Sequence, residues 1–475
     1  MKTVILVIYF IATYYSFYVL SVKAGIKNYI AYIPFYNALK VTNKPWWWLF
    51  LFIIPGINTL MMIILSVLLA KSYGRYKSSQ LVMAALFGSF YLLFICFDKK
   101  AKYDGPSGSA EYRKQRKLSK SREWWDAILF AVIAASIIRW FFIEAYTIPT
   151  SSMEKTLLVG DFLFVSKVNY GARVPMTPLA FPFAHHTMPI IGGKSYLEWW
   201  KIGYHRFPGF QKIKNNDIVV FNYPMDDLPP FYRPVDKKEN YIKRCVGISG
   251  DSIKVVDKLL YVNNKPVPLP PKGQFRYAVQ TDGTPFRKKS LLSLGITEIA
   301  TTGNSGEYVM WLNPETLGKL KRLQNIKSIT PEEEPYGMSN PNCFPNDTSF
   351  HWNIDFYGPI WIPKKGATIP MTLRNYRIYE RTIRVYENNP TLELRGDQPY
   401  LDGSPLKEYT FKMNYFWMMG DNRHNSQDSR IWGFVPEDHV VGKALFIWMS
   451  WDKNATGFNH IRWNRLFTAI HKKDN

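Results

Sequence analysis

Cysteine is nearly absent from this chain: Cys96, Cys245 and Cys343 are the only three in 475 residues. So few thiols exclude a disulfide framework, and they lack the paired spacing of a zinc site, so the expected chemistry uses neither metal nor cofactor. Cys96 falls in an apolar run, which leaves Cys245 and Cys343 as a pair or, as expected here, as two unlinked buried thiols. Histidine is sparse too, with eight scattered residues, an adjacent His185 and His186 in a loop-like stretch, and no Ser/His/Asp pattern. Acid is scarce relative to base: 37 Asp and Glu face 60 Lys and Arg, a formal charge of +23. Such a balance suits an anionic partner. No zinc-finger or RNA-module signature accompanies it, so the expected partner is membrane lipid and not nucleic acid.

What is plentiful is apolar sequence. Four runs occupy the first third, Val4–Val22, Trp46–Ala70, Leu81–Phe97 and Ala127–Ile143, each near the roughly 20 residues that cross a bilayer as a helix. The first is longer than the roughly 7 to 15 apolar residues of a cleavable signal core and reads as a retained anchor. The second carries Pro55, Gly56 and Asn58, tolerable where neighbouring helices satisfy the backbone. Between the third and fourth runs, residues 98–125 hold nine Lys or Arg against four acids. By the positive-inside rule that loop is cytoplasmic, the fourth run leads outward, and everything after Glu144 lies beyond the membrane.

From residue 145 the pattern turns to short β-branched or alternating runs broken by Gly, Pro and Asn, which predicts a mostly β domain. Strands are expected at Asp161–Val168, Asp217–Phe221, Tyr241–Val246, Ser252–Val256, Leu259–Val262, Tyr415–Met419 and Val440–Trp448. The expected organisation is a membrane region over 1–97 with about three transmembrane helices, a basic loop over 98–125 and an anchoring transmembrane helix over 126–145. A β domain follows from 146–267 and 409–465, interrupted by an inserted, partly β subdomain over 268–408 and closed by a tail over 466–475.

Three stretches carry chemistry. The first, Ile148-Pro149-Thr150-Ser151-Ser152-Met153-Glu154-Lys155-Thr156-Leu157, places hydroxyls on a turn ahead of a strand-like run. A hydroxyl there can face solvent while its own N–H points at a bound carbonyl, as an acyl-transfer nucleophile requires. Serine needs a base, and in the absence of a histidine pattern a neutral lysine can serve. The second stretch, Tyr241-Ile242-Lys243-Arg244-Cys245-Val246-Gly247, alternates so that Tyr241, Lys243 and Cys245 share one strand face. At a reference pKa of about 10.4 the lysine is neutral in well under one molecule per hundred at pH 7, so burial must depress it. The third runs from Gly420-Asp421-Asn422-Arg423 through Ser426 to Asp428-Ser429-Arg430, with Trp432-Gly433-Phe434-Val435 beyond. Its Asp421, Arg423, Asp428 and Arg430 are expected to form salt bridges that pin a loop, with Ser426 placed to hydrogen-bond and orient the lysine.

Together and in this order the three stretches resemble the type I signal peptidases, membrane-anchored Ser/Lys proteases. The resemblance implies a mostly β catalytic domain of signal-peptidase-like fold preceded by transmembrane α-helices, multi-pass in the cytoplasmic (inner) membrane with the catalytic domain on the periplasmic side. It implies Ser152 as nucleophile, Lys243 as general base, Thr150 as a second oxyanion donor and Ser426 as the residue that positions the lysine. Ile148, Met153, Leu157 and Ile242 fall where the family lines shallow pockets for small side chains at −3 and −1, and Gly420, Asp421, Asn422, Arg423, Asp428 and Arg430 support the site. The implied substrates are signal peptides of exported preproteins, with the translocation machinery as a further partner. Lys155 and Ser249 stand where the family usually has proline, and Ser151 where glycine is frequent.

Two other readings compete. Ser152-Met153-Glu154-Lys155 matches the Ser-x-x-Lys signature of penicillin-binding proteins, which belongs at a helix start and here lacks a Lys-Thr-Gly partner. Self-cleaving repressors share Ser/Lys chemistry without needing membrane spans. A non-enzymatic scaffold with a decayed site is opposed by intact Ser152, Lys243 and Ser426.

Overall fold

The computed structural model describes residues 2–53, 57–109, 111–112, 120–227, 232–453, 455 and 457–470. Arg113, Lys114, Arg116 and Lys117 of the basic loop, and residues 471–475 of the tail, lie outside these. The chain forms two compact units, Met1–Phe141 and Phe142–Asn475.

The first unit is helical. Its longer helices are Lys2–Lys23, Ile57–Ser72, Ser78–Phe87, Ser89–Phe97 and Lys120–Phe141. The run Leu81–Phe97 is not one helix: the chain turns at Gly88, whose φ of +48° favours glycine, leaving helices of 10 and 9 residues. At 1.5 Å per residue each reaches about half of a ~30 Å hydrocarbon core. The run Trp46–Ala70 likewise divides, into Leu49–Ile53 and Ile57–Ser72, with 54–56 outside the described residues. No helix among the described residues is long and apolar enough to cross a membrane. The runs Val4–Val22 and Ala127–Ile143 fall partly outside the residues whose side chains are described. Polar bonds stitch these helices together: Thr13 and Ser89 hydroxyls meet at 2.6 Å, and Lys23 Nζ donates to the Cys96 carbonyl at 2.8 Å.

The second unit is mostly β. Its main sheet is antiparallel, ordered Ile143–Thr147, Asp161–Ser166, Val440–Ser450, Ile218–Asn222, Asn240–Gly247, Tyr415–Met419 and Val435–Pro436, with Thr468–Ala469 on Val440–Ser450. These segments are rich in Val, Ile, Phe and Tyr, whose branched or flat side chains pack well on a pleated surface. Every strand expected between 161 and 450 is present within two residues of its expected ends. Register sets the site: Val219 pairs with Lys243 and Ile218 with Arg244 on one side, and Met419 pairs with Arg244 on the other.

Residues 268–408 split between sheets. Phe275–Thr281, Ile299–Thr301, Glu307–Leu312 and Ile326–Pro331 form a sheet of their own, whereas Tyr357–Trp361 pairs with Ser252–Val256. A core of Tyr357, Phe411, Tyr415, Trp417 and Phe434 lies behind the third motif, each at most 2% exposed. All three cysteines are buried and unlinked.

Candidate active site

Ser152 lies on a succession of turns after the Ile143–Thr147 strand, closed by Ile148 N–H donating to Asp161 O at 2.9 Å and Gly160 N–H to Ile148 O at 3.0 Å. Lys243 comes from an interior strand of the main sheet and is 4% exposed. The two side chains meet, with Lys243 Nζ donating to Ser152 Oγ at 2.7 Å. A second bond from Nζ reaches Ile242 O at 3.2 Å, and the Tyr241 ring lies 5.4 Å from Nζ on the same strand face. Burial lowers the lysine to about 8, against the opposing pull of Asp428 and Asp421. This is the direction a base needs, because desolvation penalises the ammonium and leaves the amine.

A cleft of about 330 Å³ opens over the pair, lined by Thr150, Ser152, Ile242, Lys243 and Asn425 among others. Thr150 is exposed on it. Of the four apolar residues expected to line substrate pockets, only Ile242 borders this cleft. Ile148, Met153 and Leu157 are at most 3% exposed and pack in a core cluster with Leu163, Ile218 and Ile447, against which Ile242 rests. Closing the turn on the sheet draws those three into this core.

The third motif forms the wall opposite. Gly420 is required by space, since a Cβ there would stand 2.2 Å from Ser426 Oγ and 2.5 Å from Ser152 O. Asn422 N–H donates to Ser152 O at 3.1 Å, and its side-chain amide to Ser151 O at 3.1 Å. The four charges of this motif do not all pair among themselves. Asp421 takes a two-point bond from Arg244, at 2.8 and 2.6 Å, and accepts from Thr156 Oγ1 at 2.6 Å. Asp428 takes the same from Arg430, at 2.9 and 2.8 Å, and accepts from Gly420 N–H at 3.1 Å. Burial pushes the Asp428 carboxyl up, but the charge and bonds of Arg430 outweigh it and hold the group below the usual carboxylate range. Arg423 is buried, its Nε has no hydrogen-bond partner among the described residues, and its backbone N–H donates to Gln274 O at 3.0 Å. Ser426 Oγ is buried with no hydrogen-bond partner among the described residues, and the bonds of Lys243 Nζ go to Ser152 and Ile242, so the expected Ser426–Lys243 bond is not formed here.

Lys155, the lysine of the Ser-x-x-Lys reading, points elsewhere. Its Nζ donates to Gly295 O and, at 3.2 Å, to Thr297 Oγ1, and the segment is a turn at φ +68° instead of a helix start. His424 is also spoken for, between Asp355 at 2.7 Å and the Arg276 N–H at 2.9 Å. Sequence reasoning assigned no role to Asn425, Arg244 or Thr156. For the last two the signal was present: each stands in a recognised motif, and both bond the buried Asp421.

Serine, buried amine and cleft thus lie together in one site. Over residues 121–309 and 376–451 the chain matches the family described as signal peptidase, peptidase S26, and it belongs to that family. Residues 310–375, between the two matched stretches, lie outside the match. The chain is 27% identical to the signal peptidase I of Haemophilus influenzae over 421 residues, 82% of this chain and 90% of that one. It is 27% identical to that of Buchnera aphidicola subsp. Schizaphis graminum over 317 residues, 67% and 71% of the two chains, and 23% identical to that of Rickettsia massiliae over 372 residues, 74% and 95%. It is accordingly a serine endopeptidase with signal peptidase I function, acting on signal peptides of preproteins. Residues 29–106 also match a family of unknown function (DUF5684).

Proposed function

We propose that Ser152 and Lys243 form the catalytic dyad and cut by way of an acyl-enzyme. The observation that carries this reading is the 2.7 Å contact between Lys243 Nζ and Ser152 Oγ in a site that lowers the lysine to about 8. As the amine, Lys243 takes the Ser152 proton while Oγ attacks the scissile carbonyl. The proton then passes to the leaving amine, and the same lysine activates the water that frees the signal peptide. Thr150 Oγ1 and the Ser152 N–H hold the oxyanion. Ser426, a buried hydroxyl beside Gly420 with no hydrogen-bond partner among the described residues, orients Lys243 once the lysine has shifted during turnover. The small volume above Ile242 suits small side chains at −3 and −1.

The working place in this proposal is the cytoplasmic membrane, with the β unit on the outer side. The helical unit exposes Phe10, Ile11, Leu86, Phe94 and Phe97, each by more than half, an apolar surface that water disfavours and lipid accepts. In the β unit, Phe181, Phe183, Trp199 and Phe210 in the 179–210 segment are also more than half exposed, which supports seating of these rings at the headgroups.

The test is cleavage of a preprotein by the purified, detergent-solubilised chain, with product masses recorded for wild type, Ser152→Ala and Lys243→Met. The proposal expects one cut after a small residue at the signal junction, lost in both variants. Cutting that survives Lys243→Met overturns the dyad.

A further inference from the structure

One loop of the segment between the second and third motifs touches the nucleophile turn from behind. Residues 295–298 join the Lys288–Ser293 helix to the Ile299–Thr301 strand, and Trp311 N–H donates to Glu298 O at 3.3 Å, tying the loop to the neighbouring strand. From this footing Thr297 Oγ1 donates to Glu154 Oε1 at 2.9 Å and accepts from Lys155 Nζ at 3.2 Å, while Gly295 O accepts from the same ammonium. The Glu298 carboxylate accepts from the side-chain amides of both Asn422 and Asn425, the latter at 3.1 Å. Those amides also bond to the turn: Asn422 to Ser151 O at 3.1 Å and Asn425 to Ser151 Oγ at 3.2 Å.

The turn needs such support. Lys155 holds φ at +68°, a conformation a long L side chain adopts only when its surroundings over-determine it. A free turn here relaxes toward negative φ, and Ser152, three residues earlier, moves with it.

We propose that the loop Gly295–Glu298 is a positioning element for the reaction, in which Thr297 holds Lys155 and Glu154 and Glu298 holds Asn422 and Asn425, so that Ser152 Oγ stays within reach of Lys243. Neither residue touches the reacting atoms. The loop acts through the turn on one side and through the Asn422–Asn425 wall on the other. This rests on the Ser152–Lys243 reading above.

The experiment measures kcat and KM separately on a peptide carrying a signal junction, with the full chain in detergent, for wild type, Glu298→Ala, Glu298→Gln, Thr297→Val and Thr297→Ser, with Ser152→Ala as control and Tm recorded for each. A loosened nucleophile lowers kcat, and a displacement of about 1 Å costs up to about a hundredfold. The expected result is a fall in kcat of about tenfold for Glu298→Ala and about fivefold for Thr297→Val, with KM within about twofold of wild type. Glu298→Gln keeps one acceptor oxygen and recovers part of the loss, Thr297→Ser keeps the hydroxyl and recovers most, and the basic pH limb stays where it is because Lys243 keeps its surroundings. Wild-type kcat in both Glu298→Ala and Thr297→Val overturns the proposal. So does a rise in KM at unchanged kcat, which makes the loop a substrate contact, or an equal loss in the conservative and truncating variants that follows Tm, which makes it only structural. Cleavage undiminished in Ser152→Ala is a different failure, since it removes the dyad reading itself.

Discussion

Two lysines flank the nucleophile turn. Lys243 reaches Ser152 from the sheet side, and Lys155 leaves the turn on the far side toward residues 295–297. Burial lowers both below the ordinary lysine value. For Lys155 the carboxylates of Glu154, Glu298 and Glu315 pull the other way, and its ammonium is spent on a carbonyl and a hydroxyl. Lys243 has Asp428 and Asp421 as its opposing charges, but each carboxylate already accepts a two-point arginine bond, from Arg430 and Arg244. Withdrawal from water is therefore common to both, and it does not make a base. What separates them is that the acids near Lys243 are already held by arginines, and that the hydroxyl it meets is Ser152 on the cleft, whereas Lys155 meets Thr297, whose own proton goes to Glu154.

The largest effects test that separation directly. Ser152→Ala and Lys243→Met are each expected to lower kcat by about 10⁴-fold or more, read by product mass and rate, because a dyad acts as a unit. Thr150→Val is next, at about 10²- to 10³-fold in kcat for the loss of one oxyanion donor, with Thr150→Ser close to wild type. The pH profile follows. In the proposed dyad only the amine form of Lys243 is active, so kcat/KM is expected to rise with pH, about tenfold per unit below the lysine value of about 8, and to level above it. Stability moves the same way at higher pH. The folded-state value lies below the unfolded one, so between about 8 and about 10.4 the unfolded chain binds more protons and stability rises across that window. A profile flat from pH 6 to 9 breaks the assignment of Lys243 as base.

Much of this site was legible because its parts are local. Strand alternation put Tyr241, Lys243 and Cys245 on one face, and the ring does lie against the lysine. The turn between Pro149 and Gly160 announced itself by its hydroxyls and its position before a strand. What was not legible depends on contacts far apart in sequence. That Met153 and Leu157 are fully buried follows from how the turn closes over Leu163 and Ile447, which no periodicity within the turn encodes. That Asp421 pairs with Arg244, 177 residues away, splits a quartet of charges that spacing alone groups together. In the helical unit, hydropathy averages over Gly88 and reads Leu81–Phe97 as one span, whereas the backbone changes direction at that residue.

The smallest effect is the one that sharpens the comparison most. Lys155→Ala removes an ammonium that makes no bond to Ser152, so the base and its path to Oγ remain. The variant loses the bonds to Gly295 and Thr297 and keeps a residue at positive φ, which alanine tolerates no better than lysine. The turn loosens without losing a reacting group, and the expected fall in kcat is less than about tenfold, with the pH limb near 8 unchanged because Lys243 is untouched. Rates for Lys155→Ala and Lys243→Met side by side then separate a lysine that holds the turn from one that moves the proton. If Lys155→Ala is dead while Lys243→Met cuts, the two roles are exchanged, and Ser-x-x-Lys chemistry must replace the dyad.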